Sequence, residues 1–140
     1  MTQSNKDLLL KDLCARLPYG VKVNIKHEEY GNLIGIVYAV YPDENRIIVD
    51  ELSKAIATQN VRCGGFLLDE CEIKSYIRPK SSMTEEELAE WQFELDMDID
   101  GYCIPSYPAL DWLNAHHFDY RGLIKKGLAL EAPEDMYKTE

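Results

Sequence analysis

Hydrophobic positions along the chain repeat first with a helical period and then with that of a strand. Leu8, Leu9 and Leu13 fall on one face of a segment that Ser4 is placed to cap, which predicts an amphipathic first helix. Pro18 disfavours helical geometry at Leu17 and Gly20 breaks the pattern, so this helix is expected to stop near Leu17. From Val21 the period drops to two. Val21, Val23 and Ile25 alternate with Lys22, Asn24 and Lys26, the pattern of a half-buried strand. A polar turn from His27 to Asn32 leads into LIGIVYAVY, and the turn Pro42–Asn45 joins that run to RIIVDE as a hairpin. Gly35 inside the second strand predicts a bend or bulge.

Beyond the hairpin, Leu52 to Arg62 fits a helical turn or a strand equally well, with Gly64-Gly65 ending it. Phe66, Leu67 and Leu68 restart a short strand, whereas DECEIKSYI predicts a short helical turn before Arg78-Pro79. Several short, curved strands in about sixty residues fit a small SH3-like barrel better than a sandwich. Thr84 to Glu87 forms a capping box, and Leu88, Trp91 and Leu95 share the face of the helix that follows. Pro108 suits the first turn of another helix carrying Leu110, Leu113 and Asn114. Asp119 is placed to cap a third, DYRGLIKK, which Gly127 ends. The apolar tail LALEAP is expected to dock on the body. The fold class expected is therefore α+β: an N-terminal helix, a small SH3-like curled β-barrel and C-terminal helices. Residues 1–80 would hold the helix and barrel, and 81–140 an acidic helical region packed on or beside it.

Composition sharpens this picture. With 46% hydrophobic residues among 140, the chain has the means to bury a core, so disorder is not expected. No run approaches the ~18 apolar residues that a membrane helix needs. The N-terminus has acids among its leucines and no small-residue cleavage site, so a cytoplasmic, soluble protein is expected. The net charge of −10 is unevenly spread. Residues 1–80 balance at eleven bases and eleven acids, whereas 81–140 hold four bases against fourteen acids. Eight acids and no base lie between Glu85 and Asp100. That field repels phosphate backbones, so direct nucleic-acid binding is not expected.

Candidate chemistry is sparse. DMDIDG (Asp96–Gly101) reproduces the first six positions of an EF-hand loop, which makes Asp96, Asp98 and Asp100 weak calcium candidates. Position twelve is Tyr107 where a Glu should grip the ion, and Pro105 stiffens the loop. Phe93, Leu95, Met97 and Ile99 also alternate with acids, as in an edge strand with one polar face. The stretch Asp111–Pro133 crowds Trp112, His116, His117, Asp119, Tyr120 and Arg121 together. Neighbouring helical residues point about 100° apart, so the two histidines are poorly placed to share an ion; one is expected buried and the other exposed. His117 with Asp119 would make an oriented base, but no nucleophile motif stands anywhere for it to activate. Asp119, Tyr120 and Arg121 read first as a cap, an aromatic anchor and an ion pair fixing a corner, and second as a recognition patch with Trp112. Nine tyrosines in the chain, among them Tyr19, Tyr30, Tyr38, Tyr41 and Tyr76 of the barrel, offer material for a peptide-binding surface. Alternation puts Tyr38 on the face opposite Val37. The four cysteines Cys14, Cys63, Cys71 and Cys103 form no CxxC pair. They are expected as reduced, buried small hydrophobes rather than, with His116, as a zinc site.

Three phrases, LCARLPYGVKV, IKSYIRPKSSMTEEE and DWLNAHHFDYRGLIKKGLALEAP, cover about a third of the chain. In that order they resemble an uncharacterised family of prophage and mobile-element proteins of gut anaerobic bacteria. The resemblance implies a bacterial cytoplasm and a mobile-element origin, and it carries no catalytic role. Members differ most over the segment from Trp91 to Pro108, so it implies no shared site there.

Taken together, the expectation is a non-enzymatic protein-binding or adaptor module with no cofactor. Its partner-binding candidates are Trp112, His117, Tyr120, Arg121, Tyr38 and Tyr41. The alternatives are an acidic nucleic-acid mimic that inhibits a host defence protein and a minor metal- or His-dependent hydrolase.

Overall fold

The computed structural model describes residues 2–54, 62–93, 96–97, 103–104 and 107–137. Helix α1 (Gln3–Arg16) begins at Thr2 rather than at Ser4: Thr2 is extended, and its hydroxyl accepts the Asn5 N–H at 3.1 Å. The helix ends where the sequence places its stop. Leu17 caps it, and a tight turn through Pro18 closes on Gly20 at φ +70°. Leu9, Leu10 and Leu13 face the core, and Asp12 and Arg16 are buried along the same stripe.

The strands are β1 (Lys22–His27), β2 (Gly31–Tyr41), β3 (Arg46–Asp50), β4 (Gly64–Leu67) and β5 (Glu72–Pro79). Two short strands, β6 (Asp96–Met97) and β7 (Cys103–Ile104), pair only with each other. Helix α2 (Glu85–Phe93) precedes them and α3 (Tyr107–Ala115) follows, before β8 (Phe118–Asp119) and β9 (Ala129–Glu131). The main sheet has seven strands in the order β4-β3-β2-β1-β5-β8, with β9 also on β5. The first five are antiparallel to their neighbours, whereas β8 and β9 run parallel to β5. The molecule is thus α+β with an open sheet, and the closed barrel expected from the sequence is not formed. The edge of β5 that would meet β4 in a closed barrel is occupied by β8 and β9.

Four local expectations are corrected. DECEIKSYI forms no helical turn at its C-terminal part; Glu72 onward is β5, with Ile73, Ser75 and Ile77 inward and Lys74 and Tyr76 outward. Gly35 marks a close approach, not a bulge. A Cβ there would lie 2.4 Å from Val49 Cγ1 and 2.8 Å from the Asp50 carbonyl oxygen. The irregularity falls between Val37 and Ala39, at Tyr38. Segment 119–127 makes a turn instead of a third helix, because Gly122 at φ +74° interrupts helical geometry. Its ends are nevertheless closed as a helix would be. The Asp119 carboxylate accepts the N–H groups of Leu123 and Ile124 at 3.0 and 3.1 Å. The Gly127 and Leu128 N–H groups return to Ile124 and Leu123, in a Schellman arrangement. Gly64 and Gly65, expected to end the preceding segment, lie within β4.

One hydrophobic core joins α1 (Leu9, Leu10, Leu13) to the inner face of the sheet and continues to Leu123, Leu128 and Ala129. The tail therefore docks as expected, as a strand. Among the described residues no helix is long and apolar enough to cross a membrane. Most of the Asp96–Gly101 loop, including Asp98 and Asp100, lies outside the described residues, as does Leu95; Asp96 and Met97 pair with Ile104 and Cys103 in extended backbone.

Candidate functional site

Two regions hold the candidate residues: the corner where α1, α3 and the tail meet, and the outward face of β2–β3–β4. The corner begins with Asp12 and Arg16, one helical turn apart on α1. Neither is solvent-exposed, and Arg16 Nε donates to Asp12 Oδ2 at 2.8 Å. Arg16 also donates to the Phe118 carbonyl at 2.6 Å, and Arg121 Nε donates to the other oxygen of Asp12 at 3.1 Å. Tyr120 lies between the two guanidiniums, 5.4 Å from that of Arg16 and 5.0 Å from that of Arg121. Its hydroxyl accepts from Arg121 and donates to Asn114 at 2.9 Å. Tyr120 and Arg121 are thus occupied in tying the first helix to the C-terminal segment. A buried charged pair is costly unless its groups are hydrogen-bonded, which fits the number of bonds gathered here, although Arg16 Nη1 is buried without a partner.

Trp112 is also engaged internally. It stacks on His116 at 3.9 Å between ring centroids and on Phe118 at 5.8 Å. Phe118 in turn lies 4.2 Å beneath the Arg78 guanidinium. Arg78 grips Glu87 through both carboxylate oxygens, at 2.7 and 2.8 Å. That grip, together with the capping box, holds the Glu87 carboxyl down at about 2. The box itself is formed as the sequence predicts: Glu87 N–H donates to Thr84 Oγ1, and Thr84 N–H to Glu87, each at 3.1 Å. Apart from this anchor and Lys80 above the Trp91 ring, α2 is largely solvated, with Leu88 42% exposed.

His117 follows α3 in the left-handed region, at φ +61°. Of the two histidines it is the buried one, 5% exposed, while His116 is half-buried with Nδ1 2.9 Å from the Trp112 carbonyl. The His117 ring stacks on Tyr137 at 3.6 Å. Burial first, and then the positive charges of Arg16, His116, Arg78 and Lys22, push it down to about 4. Tyr137 replaces a rung of the β1–β5 ladder where those strands part. Its hydroxyl accepts the Lys22 N–H at 2.8 Å and donates to the Tyr76 carbonyl at 2.6 Å, and burial raises its pKa. A cleft of about 420 Å³ opens here between Tyr19, Arg78, His116, His117, Met136 and Tyr137. His117 and Asp119 are not brought together: the Asp119 carboxylate serves two backbone N–H groups, and His117 Nδ1 has no hydrogen-bond partner.

The second region is built by register. Ile47, Phe66 and Val40 turn to the core, so the rows Tyr41–Arg46–Leu67 and Ala39–Ile48–Gly65 face outward. The Arg46 guanidinium lies 4.6 Å from the Tyr41 ring. Tyr38, at the bulge, is 71% exposed and Tyr41 41%, with Val37 buried opposite as alternation requires. Tyr30 and Tyr76 are half-buried.

Among the described cysteines, Cys14 and Cys63 are exposed rather than buried as expected, and the half-buried Cys71 packs against the core; partial desolvation raises the thiols of Cys14 and Cys71. Among the described residues no three His, Cys, Asp or Glu side chains come together as a metal cluster. Sequence reasoning missed Arg16, Lys22, Arg78 and Tyr137. A signal existed for Arg16, which sits with Asp12 on the leucine stripe of α1, where a charge is out of place unless paired. Tyr137 gave none, since its partners are backbone groups 61 and 115 positions away. The chain matches no protein-family model, no curated protein and no solved structure.

Proposed function

We propose that the chain is a non-enzymatic protein-binding module of bacterial mobile-element origin, acting in the cytoplasm through the outward face of β2–β3–β4. The observation that carries this reading is the exposure of Tyr38 and Tyr41 on a face with half-buried Ala39, Ile48 and Leu67 beside them. Aromatic side chains on a rigid sheet supply contact area at low entropic cost and dominate interface energetics. The edge strand β4 offers backbone groups along the same face. By contrast, Asp119, Tyr120 and Arg121 are engaged within the molecule, which argues against a hydrolase built on His117. The antiparallel order β5-β1-β2-β3-β4 supports reading the meander as an opened SH3-like barrel, in which the eleven-residue β2 serves both halves. The mobile-element origin rests on the resemblance of the three sequence phrases alone.

Affinity purification of the wild type and of a Tyr38→Ala/Tyr41→Ala variant from the same bacterial cells tests the reading. A stoichiometric partner is expected on the wild type. The variant should retain it about thirtyfold less, the loss of one hot spot worth about 2 kcal/mol. Equal retention by both proteins, or repeated recovery of the wild type alone, would overturn the reading. A second reading, an acidic mimic of nucleic acid, is favoured by the exposed Glu85, Glu86 and Glu90 of α2. It predicts a nucleic-acid-binding partner in the same experiment, released by salt and indifferent to the tyrosine changes.

A further inference from the structure

The free edge of the main sheet is set by the register of β4. This strand pairs with β3 from Arg46↔Leu67 to Val49↔Gly64 and, among the described residues, has no neighbour on its other side. The Leu68 N–H donates to the Asn45 carbonyl at 2.8 Å, which fixes the phase of the antiparallel ladder. Phe66 and Gly64 turn their backbone groups toward β3, and Cys63, Gly65 and Leu67 turn theirs away. The turn that follows takes one of the outward groups: the Leu67 carbonyl accepts the N–H groups of Glu70 and Cys71 at 3.1 and 3.0 Å. The Cys63 carbonyl, both polar groups of Gly65 and the Leu67 N–H meet no backbone partner among the described residues.

Sheet edges in native proteins are commonly blunted by a charge, a proline or a bulge. β4 carries none of these: Cys63–Leu68 reads CGGFLL, in unbroken register with β3. Charges stand at its two ends instead. Arg62, exposed just before the strand, donates to the Leu52 and Ser53 carbonyls and pairs with no carboxylate among the described residues. Glu70, exposed in the turn after it, likewise makes no ion pair among them, whereas its neighbour Asp69 is held by Lys6. A strand that is positive at its start, negative at its end and uncharged between is complementary to an antiparallel copy of itself.

We propose that β4 pairs antiparallel with β4 of a second copy of this chain, joining the two sheets into one about a two-fold axis at Gly65. In that register each Gly65 N–H donates to the Gly65 carbonyl of the other copy. Each Leu67 N–H donates to the opposite Cys63 carbonyl. These four bonds use every outward group left open and leave the Leu67 carbonyl to its turn. An axis at Phe66 would instead need that occupied carbonyl as an acceptor. The same register carries Arg62 of each copy toward the turn that holds Glu70 of the other. Tyr38 and Tyr41 lie on β2, two strands in from the edge, so pairing at β4 leaves the proposed partner-binding tyrosines open on both copies. The dimer does not depend on what those tyrosines bind.

Sedimentation equilibrium of the intact chain, from about 10 μM to about 1 mM, reads the association. The mass is expected to climb from the 16.1 kDa of one chain toward twice that value. Gly65→Pro removes the donor at the axis and spares the ladder to β3, because that N–H points away from β3. With two symmetric hydrogen bonds lost, association should weaken about tenfold. Glu70→Arg sets cations against each other at both ends and should weaken it too, more at low salt than at high. Leu67→Cys reads the register. Residue 67 lies opposite Cys63 of the second copy, so mild oxidation should give a covalent dimer, and adding Cys63→Ser should abolish it. The cross-link and Glu70→Arg decide the matter even where the proline variant fails to fold. The Tyr38→Ala/Tyr41→Ala variant should dimerise as the wild type does, which separates this edge from the partner-binding face. A mass of one chain at every concentration, association indifferent to Glu70→Arg or to a folded Gly65→Pro, or no cross-link through Cys63 would overturn the proposal. So would a dimer lost with the two tyrosines.

Discussion

His117 couples its local strain to the pH dependence of stability. Its folded pKa lies at about 4, against 6.5 for the free side chain, so the folded state favours the neutral ring. Between those values the unfolded chain binds more protons than the folded one, and stability therefore rises with pH. The contribution is fully present above about pH 6.5 and is lost as pH falls through about 4, on the order of 3 kcal/mol in all. Urea denaturation at pH 7 and pH 4.5, for the wild type and His117→Asn, measures it. The variant should lose markedly less stability between the two pH values; an equal loss would place the effect on other groups. Whether this ring is buried or exposed is a question of single residues, and the sequence narrows it only by half. The expectation of one histidine inward and one outward came from helical divergence, but both lie beyond the end of α3 and His117 is left-handed; what buries its ring is Tyr137, whose position no local pattern encodes.

Elements were legible in proportion to how far local chemistry alone decides them. The capping box at Thr84 and Glu87, the stop at Leu17, the strand from Val21 and the start of α3 at Pro108 all follow from neighbours a few positions apart, and they stand as read. β5 did not, because Ser75 occupies an inward position and breaks the apolar alternation between Ile73 and Ile77. Its strand character comes instead from pairing with β1 on one side and β9 on the other. Tertiary pairing of that kind routinely overrides local preference. The capping box offers a test at this scale. Thr84→Ala removes the acceptor of the Glu87 N–H, and a lost N-cap of this type costs about 1 kcal/mol. Because α2 is otherwise largely solvated, the loss should appear as faster amide exchange confined to α2, with the melting temperature of the sheet little changed. Exchange that stays uniform across the molecule would mean that α2 is held by packing rather than by its cap.

At the scale of the whole molecule, chemistry and charge divide the sequence near residue 80, but the core does not follow that division. Leu123, Leu128 and Ala129 are buried in the same cluster as Leu9 and Leu13, and β9 supplies the outer neighbour of β5. Arg16, fully buried on α1, takes its backbone acceptor from Phe118, and Asp12 takes a second guanidinium from Arg121. A fragment of residues 1–80 would thus lose the apolar cover of two leucines, each worth about 1.5–3 kcal/mol. It would also leave the Asp12–Arg16 pair without its outer partners, where disruption of a buried pair costs about 3–5 kcal/mol. These losses together rival the 5–15 kcal/mol by which a typical domain is stable. The fragment expressed alone should therefore show poorly dispersed amide resonances and no cooperative thermal transition, whereas the full chain unfolds in one step. A dispersed spectrum and a cooperative melt for residues 1–80 would mean that the sheet and α1 suffice on their own, and that the C-terminal half is an appendage to a finished core.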